Sequence, residues 1–100
     1  METTGVSPAI VDAAFILSLT GSVARLWSFA ATHDRLTIRV RKSKAGDEGF
    51  LIFSLCETLR LPVMWTLKNP QVKTAELMQF IDEGVEITCA EIRWQDDVPT

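Results

Sequence analysis

Few side chains in this sequence have a type and spacing suited to covalent or metal chemistry. The chain has one histidine, His33, and two cysteines, Cys56 and Cys89. A Cys–His nucleophile needs the imidazole beside a stabilised thiolate, whereas His33 is expected at the tip of a hairpin, where a thiol could reach it only by distant folding. One His and two scattered Cys also do not form a tetrahedral zinc set. The residues therefore indicate no catalytic centre, no metal and no cofactor, and they favour two reduced, buried thiols over a disulfide.

Two other kinds of chemical site receive little support. Carboxylates are plentiful near the C-terminus, at Glu86, Glu91, Asp96 and Asp97. Paired carboxylates catalyse reactions only where burial separates their pKa values, and an acidic, exposed strand predicts solvated charges instead. The five glycines stand singly, so there is no glycine-rich loop for a phosphate. Together these features favour a function other than catalysis.

The charges are divided into two blocks. Residues 25–44 contain six basic side chains and one acidic one, whereas residues 74–100 contain seven acidic and one basic. The net charge of the 100-residue chain is only -3 and its pI is about 5.0. The nearly neutral total thus hides a basic segment and an acidic segment.

The basic segment contains the clearest strand pattern. Leu36, Ile38 and Val40 alternate with Arg35, Thr37, Arg39 and Arg41, which is the period of a half-exposed strand. A turn at His33-Asp34 would make a hairpin with Ser22–Thr32. In that register Phe29 faces Ile38 and Trp27 faces Val40 on the apolar side, while Leu26 faces Arg41 on the other.

A second hairpin continues the same two faces. With Ala45-Gly46 at its tip, Val40 faces Leu51 and Ile38 faces Phe53, so the apolar face extends onto a third strand, Gly49–Cys56. Its opposite face brings Phe50 beside Arg41 and Ile52 beside Arg39. The sequence therefore predicts a ribbon that is apolar on one side and rich in arginine on the other.

Two helices are predicted outside this ribbon. Ser7-Pro8 resembles a helix start, and the apolar segment Ala9–Leu19 with Gly21 after it predicts a buried helix; a strand over Phe15–Leu19 is the alternative. Thr74 can cap a second helix over Ala75–Glu83, whose stripe is Leu77, Phe80 and Ile81.

Two further strands complete the expected fold. Leu61–Leu67 contains β-favouring residues, and Pro62 near its start indicates that this strand either begins there or lies at an edge of the sheet. Val85–Trp94 changes parity between Cys89 and Ile92, which indicates a bulge or two covered faces. The expected fold is a single α+β domain over residues 1–100: an N-terminal helix, an antiparallel meander of three to four strands, a second helix, and a final strand that rejoins the sheet.

The arginine-rich face is the candidate functional surface. Arginine beside an aromatic side chain is typical of the energetic anchors of protein interfaces. We therefore expect a non-enzymatic protein-interaction or assembly module, binding itself as a homodimer or another protein. The expected surface consists of Leu26, Arg35, Arg39, Arg41, Phe50 and Ile52.

Other partners receive less support from the sequence. A small acidic ligand held by an arginine is the alternative, and it requires a cavity of roughly 300 Å³ or more. Single-stranded nucleic acid is disfavoured because the chain is acidic overall and because Trp27 and Phe29 are expected on the apolar face. The longest apolar stretch, Ala13–Leu17, is too short to span a membrane, and a cytoplasmic location is expected.

Overall fold

The computed structural model describes residues 9–31, 34–41 and 48–96. Over these residues the chain is mostly β-structure, with one short α-helix near the N-terminus. The elements, in chain order, are β1 (Ala9–Ile10), α1 (Ala13–Ser18), β2 (Val23–Ala30), β3 (Arg35–Arg41), β4 (Glu48–Ser54), β5 (Thr58–Arg60), β6 (Met64–Thr66), β7 (Gln71–Thr74), β8 (Met78–Asp82), β9 (Val85–Cys89) and β10 (Glu91–Gln95).

The strands form two antiparallel sheets that share one hydrophobic core. Sheet 1 has the order β1-β10-β4-β3-β2-β6, and sheet 2 has the order β5-β9-β8-β7. Phe53 of sheet 1 meets Phe80 of sheet 2 edge to face, with the ring centroids 5.6 Å apart. Buried side chains from both sheets and from α1 belong to the same cluster. The expected antiparallel sheet is confirmed, but the balance between helix and strand differs from the expected α+β arrangement.

One corner of the molecule is a bent ribbon that passes from sheet 1 to sheet 2. The backbone N–H of Ala90 donates to the Ser54 carbonyl (3.0 Å), and that of Glu57 donates to Thr88 (2.7 Å). These bonds join the β4–β10 ladder to the β5–β9 ladder. The parity change between Cys89 and Ile92 therefore marks the point where the chain leaves one sheet for the other.

The N-terminal helix is shorter than the sequence pattern predicted. It covers Ala13–Ser18, and its N-cap is Asp12, whose side chain accepts from the backbone N–H of Phe15 (2.8 Å). Ala9–Ile10 instead pairs with β10, and Ser7-Pro8 lies outside the described residues. The predicted helix Ala9–Leu19 therefore began too early in the sequence. A short apolar run such as the one before Asp12 is compatible with an edge strand as well as with a turn of buried helix.

The second predicted helix, Ala75–Glu83, was wrong. Residues 75–77 connect β7 to β8, which form a hairpin with Val72 opposite Phe80 and Thr74 opposite Met78. Within β8, Phe80 and Asp82 are buried and face the same side as Met78. The predicted helix would place the charged Asp82 on an exposed face. In the structure Asp82 is one of the buried positions in the alternation of β8.

The β3–β4 pairing keeps the predicted faces in a different register. Leu36 lies opposite Phe53 and Ile38 opposite Leu51, whereas Arg39 lies opposite Phe50. Each partner is displaced by two residues from the prediction, and an even displacement leaves every side chain on its expected face. Ala45-Gly46, the predicted tip, lies outside the described residues.

The β2–β3 pairing contains a bulge that reverses part of the predicted arrangement. Near the tip Phe29 lies opposite Leu36, two residues from the predicted partner, but Leu26 lies opposite Ile38. The register shifts between Leu26 and Ser28, which leaves Trp27 as the extra residue. Leu26 therefore faces the core, contrary to the sequence-based expectation, and Trp27 faces the arginine side.

Candidate interaction surface

The outer face of sheet 1 gathers three arginines around two exposed apolar side chains. Arg25 of β2 lies opposite Arg39 of β3, and Val23 lies opposite Arg41. On the other side of β2, Met64 of β6 lies opposite Arg25. These five residues line a shallow depression of about 110 Å³.

Trp27 extends this surface along β2. Its ring meets Phe50 edge to face at a centroid distance of 5.4 Å, and the Arg39 guanidinium carbon lies 5.5 Å from the Trp27 ring centroid. The Trp27 residue remains 44% exposed. Bulges commonly redirect a side chain, and this one moves a large aromatic group from the core side to the arginine side. We call the six residues Val23, Arg25, Trp27, Arg39, Arg41 and Met64 the arginine patch.

One carboxylate partly neutralises the arginine patch. Nη2 and Nε of Arg39 both donate to Oε1 of Glu48, at 2.6 and 3.1 Å. Arg41 Nε lies 3.7 Å from the same oxygen. The hydrogen bond from Arg39 holds the pKa of Glu48 below its usual value. Arg25 makes no ion pair with any residue that the structure describes, so three guanidinium groups face one carboxylate.

The predicted surface residues are only partly brought together. Arg39 and Arg41 lie in the patch, and exposed Arg35 lies farther along β3 on the same face. Phe50 and Ile52 are on the expected face but are only 1% and 7% exposed. Because β4 is an interior strand, side chains of β3 and β10 flank them on that face, and the Trp27 ring packs against Phe50.

Four patch residues were absent from the predicted surface. Leu26 was expected there but packs against the core, and Trp27 takes its place because of the bulge. Arg25 was expected on the opposite side of its strand for the same reason. Val23 and Met64 become neighbours only because β6 pairs with β2. That pairing joins distant parts of the chain, and no local sequence pattern predicts it.

The thiols and the C-terminal carboxylates are engaged within the chain. Cys89 Sγ donates to the Glu91 carbonyl (3.4 Å), and burial raises the pKa of this thiol to about 12. Burial also raises the pKa of Cys56, and both thiols are free. Glu86 accepts from Gln79 (2.9 Å), whereas Glu91 pairs with Arg93 (2.7 Å), which lowers the pKa of Glu91. His33 and Asp97 lie outside the described residues.

A buried carboxylate fixes the corner between β6 and β7. Asp82 is 6% exposed and accepts from Trp65 Nε1 (3.2 Å) and from the backbone N–H groups of Lys68 (3.2 Å) and Asn69 (2.8 Å). Trp65 belongs to β6, which also carries Met64 of the patch. Asp82 thereby holds the outermost strand of sheet 1 in place from sheet 2.

A second concavity lies at the β8–β9 turn. This open groove of about 320 Å³ is lined by Arg60, Ile81, Asp82, Gly84, Val85 and Glu86. Its volume reaches the lower end of ligand sites, but Asp82 already accepts three hydrogen bonds from its own chain. Glu86 likewise accepts from Gln79, so both carboxylates that line the groove already have partners within the chain.

Similarity to other proteins does not indicate a function for this surface. Comparison of the chain with models of protein families, with curated proteins and with solved structures finds no match. In the described part of the chain, no helix has the length and apolar character to cross a membrane. Those residues also place no group of three or more His, Cys, Asp or Glu side chains around a common metal position.

Proposed function

We propose that this protein is a non-enzymatic interaction module whose arginine patch docks an acidic segment of another polypeptide. The supporting observation is the imbalance of charge on the patch, where Arg25, Arg39 and Arg41 face one carboxylate, that of Glu48, among the residues that the structure describes. Exposed arginine beside Trp27 and Met64 provides both ionic and apolar contact area. Charge complementarity of this kind selects acidic partners and speeds their association.

A homodimer is the other form that this function could take. Two copies meeting through the same patch would place like charges against each other, which opposes association. A second copy would therefore have to offer a different surface, one that carries acidic groups. The sequence-based expectation of a homodimer stays a prediction, and sedimentation of the protein at increasing concentration tests it.

The experiment compares two variants that change the net charge equally. Arg25→Glu/Arg41→Glu alters the patch, whereas Arg60→Glu/Lys73→Glu alters exposed side chains of sheet 2. Binding of fluorescently labelled poly-L-glutamate is measured by anisotropy, with poly-L-lysine as the charge control. We expect the patch variant to lose at least about tenfold in affinity, equivalent to about 1.4 kcal/mol, while the sheet 2 variant retains its affinity.

Two results would count against the proposal. Equal loss in both variants means that the probe senses only net charge, and absence of poly-L-glutamate binding removes the acidic partner. Binding should also weaken as salt is raised, since exposed charges are screened. Correct folding of each variant is checked by its thermal unfolding curve.

Single-stranded nucleic acid is a second candidate because of the position of Trp27. The sequence-based argument against it placed this ring in the core, whereas the ring is exposed beside Arg39 and Arg25. Aromatic stacking with neighbouring arginine is how such surfaces bind bases. The net charge of -3 opposes this polyanion and an acidic polypeptide alike, so it does not decide between the two partners. Tighter binding of oligo(dT) than of poly-L-glutamate would identify nucleic acid as the partner instead.

A small acidic ligand fits the patch less well. The depression of about 110 Å³ is well below the roughly 300–1,000 Å³ of typical ligand sites. A flat, charged surface of this kind suits a polypeptide better than an enclosed small molecule.

A further inference from the structure

Strand β6 covers only the first half of β2. The backbone N–H of Leu26 donates to the Val63 carbonyl (2.7 Å) at the end of this ladder. The preceding residue is Pro62, which has no N–H and so cannot extend the ladder, and Leu61 turns inward against the core. The outer edge of β2 from Trp27 to Ala30 therefore has no strand partner among the residues that the structure describes. We call this segment the open edge.

Apart from its short length and the bulge at Trp27, the open edge lacks the features that protect sheet edges. All four residues, Trp27 to Ala30, are exposed, and none of them is charged or a proline. Phe29 lies opposite Leu36, on the core-facing side of this edge, and is still 45% exposed. The edge therefore carries an exposed aromatic side chain on each face, Trp27 and Phe29. By contrast, the outer strand β7 carries Lys73, and β1 has only two residues. Unprotected edges are the sites where proteins accept an added strand.

The arginine face continues along the open edge. Arg35 lies opposite Ala30, and Arg25 precedes Trp27 on the same face. Ser28 and Ala30 are small, so the long side chain of Arg35 can reach across Ala30 towards the edge. Arg35, like Arg25, forms no ion pair within the described ranges 9–31, 34–41 and 48–96. A strand placed at this edge would therefore meet positive charge on one of its faces.

We propose that the open edge binds an extended acidic segment of a partner protein as an additional strand of sheet 1. The proposal rests on the proposed function and specifies its mode of binding. Backbone hydrogen bonds to β2 hold the segment, and its side chains point alternately to the two faces. Acidic side chains lie towards Arg25 and Arg35, and apolar ones lie beside Phe29. A second copy of β2 is the weaker occupant, because its own arginines would be brought against these.

The test uses synthetic peptides of about eight residues that alternate Glu and Val, matching the two faces of an added strand. One control replaces Glu with Lys. Two further control peptides are N-methylated on alternate amides, one at the odd positions and the other at the even positions. Because successive N–H groups of a strand point to opposite edges, each of these peptides keeps hydrogen-bond donors on one edge only. Affinity is measured by fluorescence, and amide hydrogen exchange of the protein is followed by NMR.

If the peptide binds as an added strand, we expect the following affinities and exchange rates. One methylation pattern lowers affinity at least about tenfold, the equivalent of one or two lost backbone hydrogen bonds, and the other pattern is tolerated. Amide exchange slows within Ser28–Ala30 and is unchanged in β7, which serves as the control edge. The Lys peptide does not bind.

The contrary outcomes separate this proposal from the one that it rests on. If both methylated peptides bind as well as the parent and Arg25→Glu/Arg41→Glu still abolishes binding, the patch recognises acid without strand addition and the edge proposal is wrong. Protection of Ser28–Ala30 in the free protein, together with a dimer in sedimentation, would assign the edge to a second copy. Failure of the peptides and of poly-L-glutamate to bind would overturn both proposals.

Discussion

Replacing the carboxylate of Asp82 should separate the edge of sheet 1 from sheet 2. Asp82 accepts from the indole of Trp65 and from the backbone N–H groups of Lys68 and Asn69. Asp82→Asn preserves the size of the side chain but leaves one acceptor oxygen and directs an NH2 group at neighbouring donors. At least one of the three partly buried donors then lacks its partner, and each remaining bond loses its charge.

The size of the effect follows from the type of bond that is lost. Hydrogen bonds to charged groups contribute about 1.5–3 kcal/mol each, and an unsatisfied buried group adds a further desolvation cost. We expect the free energy of unfolding to fall by about 3 kcal/mol. For a domain of this length that corresponds to a decrease in Tm of roughly 12–24 °C.

Urea denaturation followed by circular dichroism measures this change. The matched control is Glu83→Gln at the adjacent position, where the exposed carboxylate pairs with Lys68 Nζ (2.9 Å) and stability should change little. Amide exchange in β6 should accelerate in Asp82→Asn and not in the control. An Asp82→Asn protein within about 1 kcal/mol of the wild type would show that the carboxylate does not hold this corner.

Two further predictions concern the core. In Gly49→Ala the added Cβ would overlap the Trp94 ring, so we expect a loss of about 1–3 kcal/mol on denaturation and a changed near-UV spectrum; an unchanged spectrum would contradict this packing. Because the folded pKa of Cys89 is raised from about 9 to about 12, the unfolded state loses its thiol proton first. The free energy of unfolding should therefore decrease between about pH 9 and pH 12. At pH 8 iodoacetamide should modify Cys89, detected by mass spectrometry, only after unfolding, and modification of the native protein would refute the assigned burial.

The two faces of β3 and β4 could be predicted from sequence because parity is a local property. Leu36, Ile38 and Phe53 were assigned to the core side, and Arg39 and Phe50 to the other, as the structure has them. The register itself depends on how many residues the turn uses, and an error of two residues there leaves the faces intact. Alternation thus specifies which side of a strand is buried better than it specifies the partner.

The features that were missed depend on contacts between distant parts of the chain. Asp82 is polar in sequence, but it lies on the buried side of β8 because Lys68 and Asn69 supply donors from another element. Without those donors the pattern of Leu77, Phe80 and Ile81 resembles a helix, since their spacing suits its apolar face. Local periodicity cannot distinguish a buried, satisfied carboxylate from an exposed one.

The bulge at Trp27 links the main error of the sequence-based reasoning to the proposed function. An unbroken strand would have buried Trp27 and placed Leu26 beside the arginines, with a regular outer edge. The extra residue instead places Leu26 in the core and Trp27 beside Arg39. It lies at the start of the open edge, where the β6 ladder has ended. Since bulges twist and redirect a strand at a small local cost in pairing, this one both completes the arginine patch and marks where an added strand would begin.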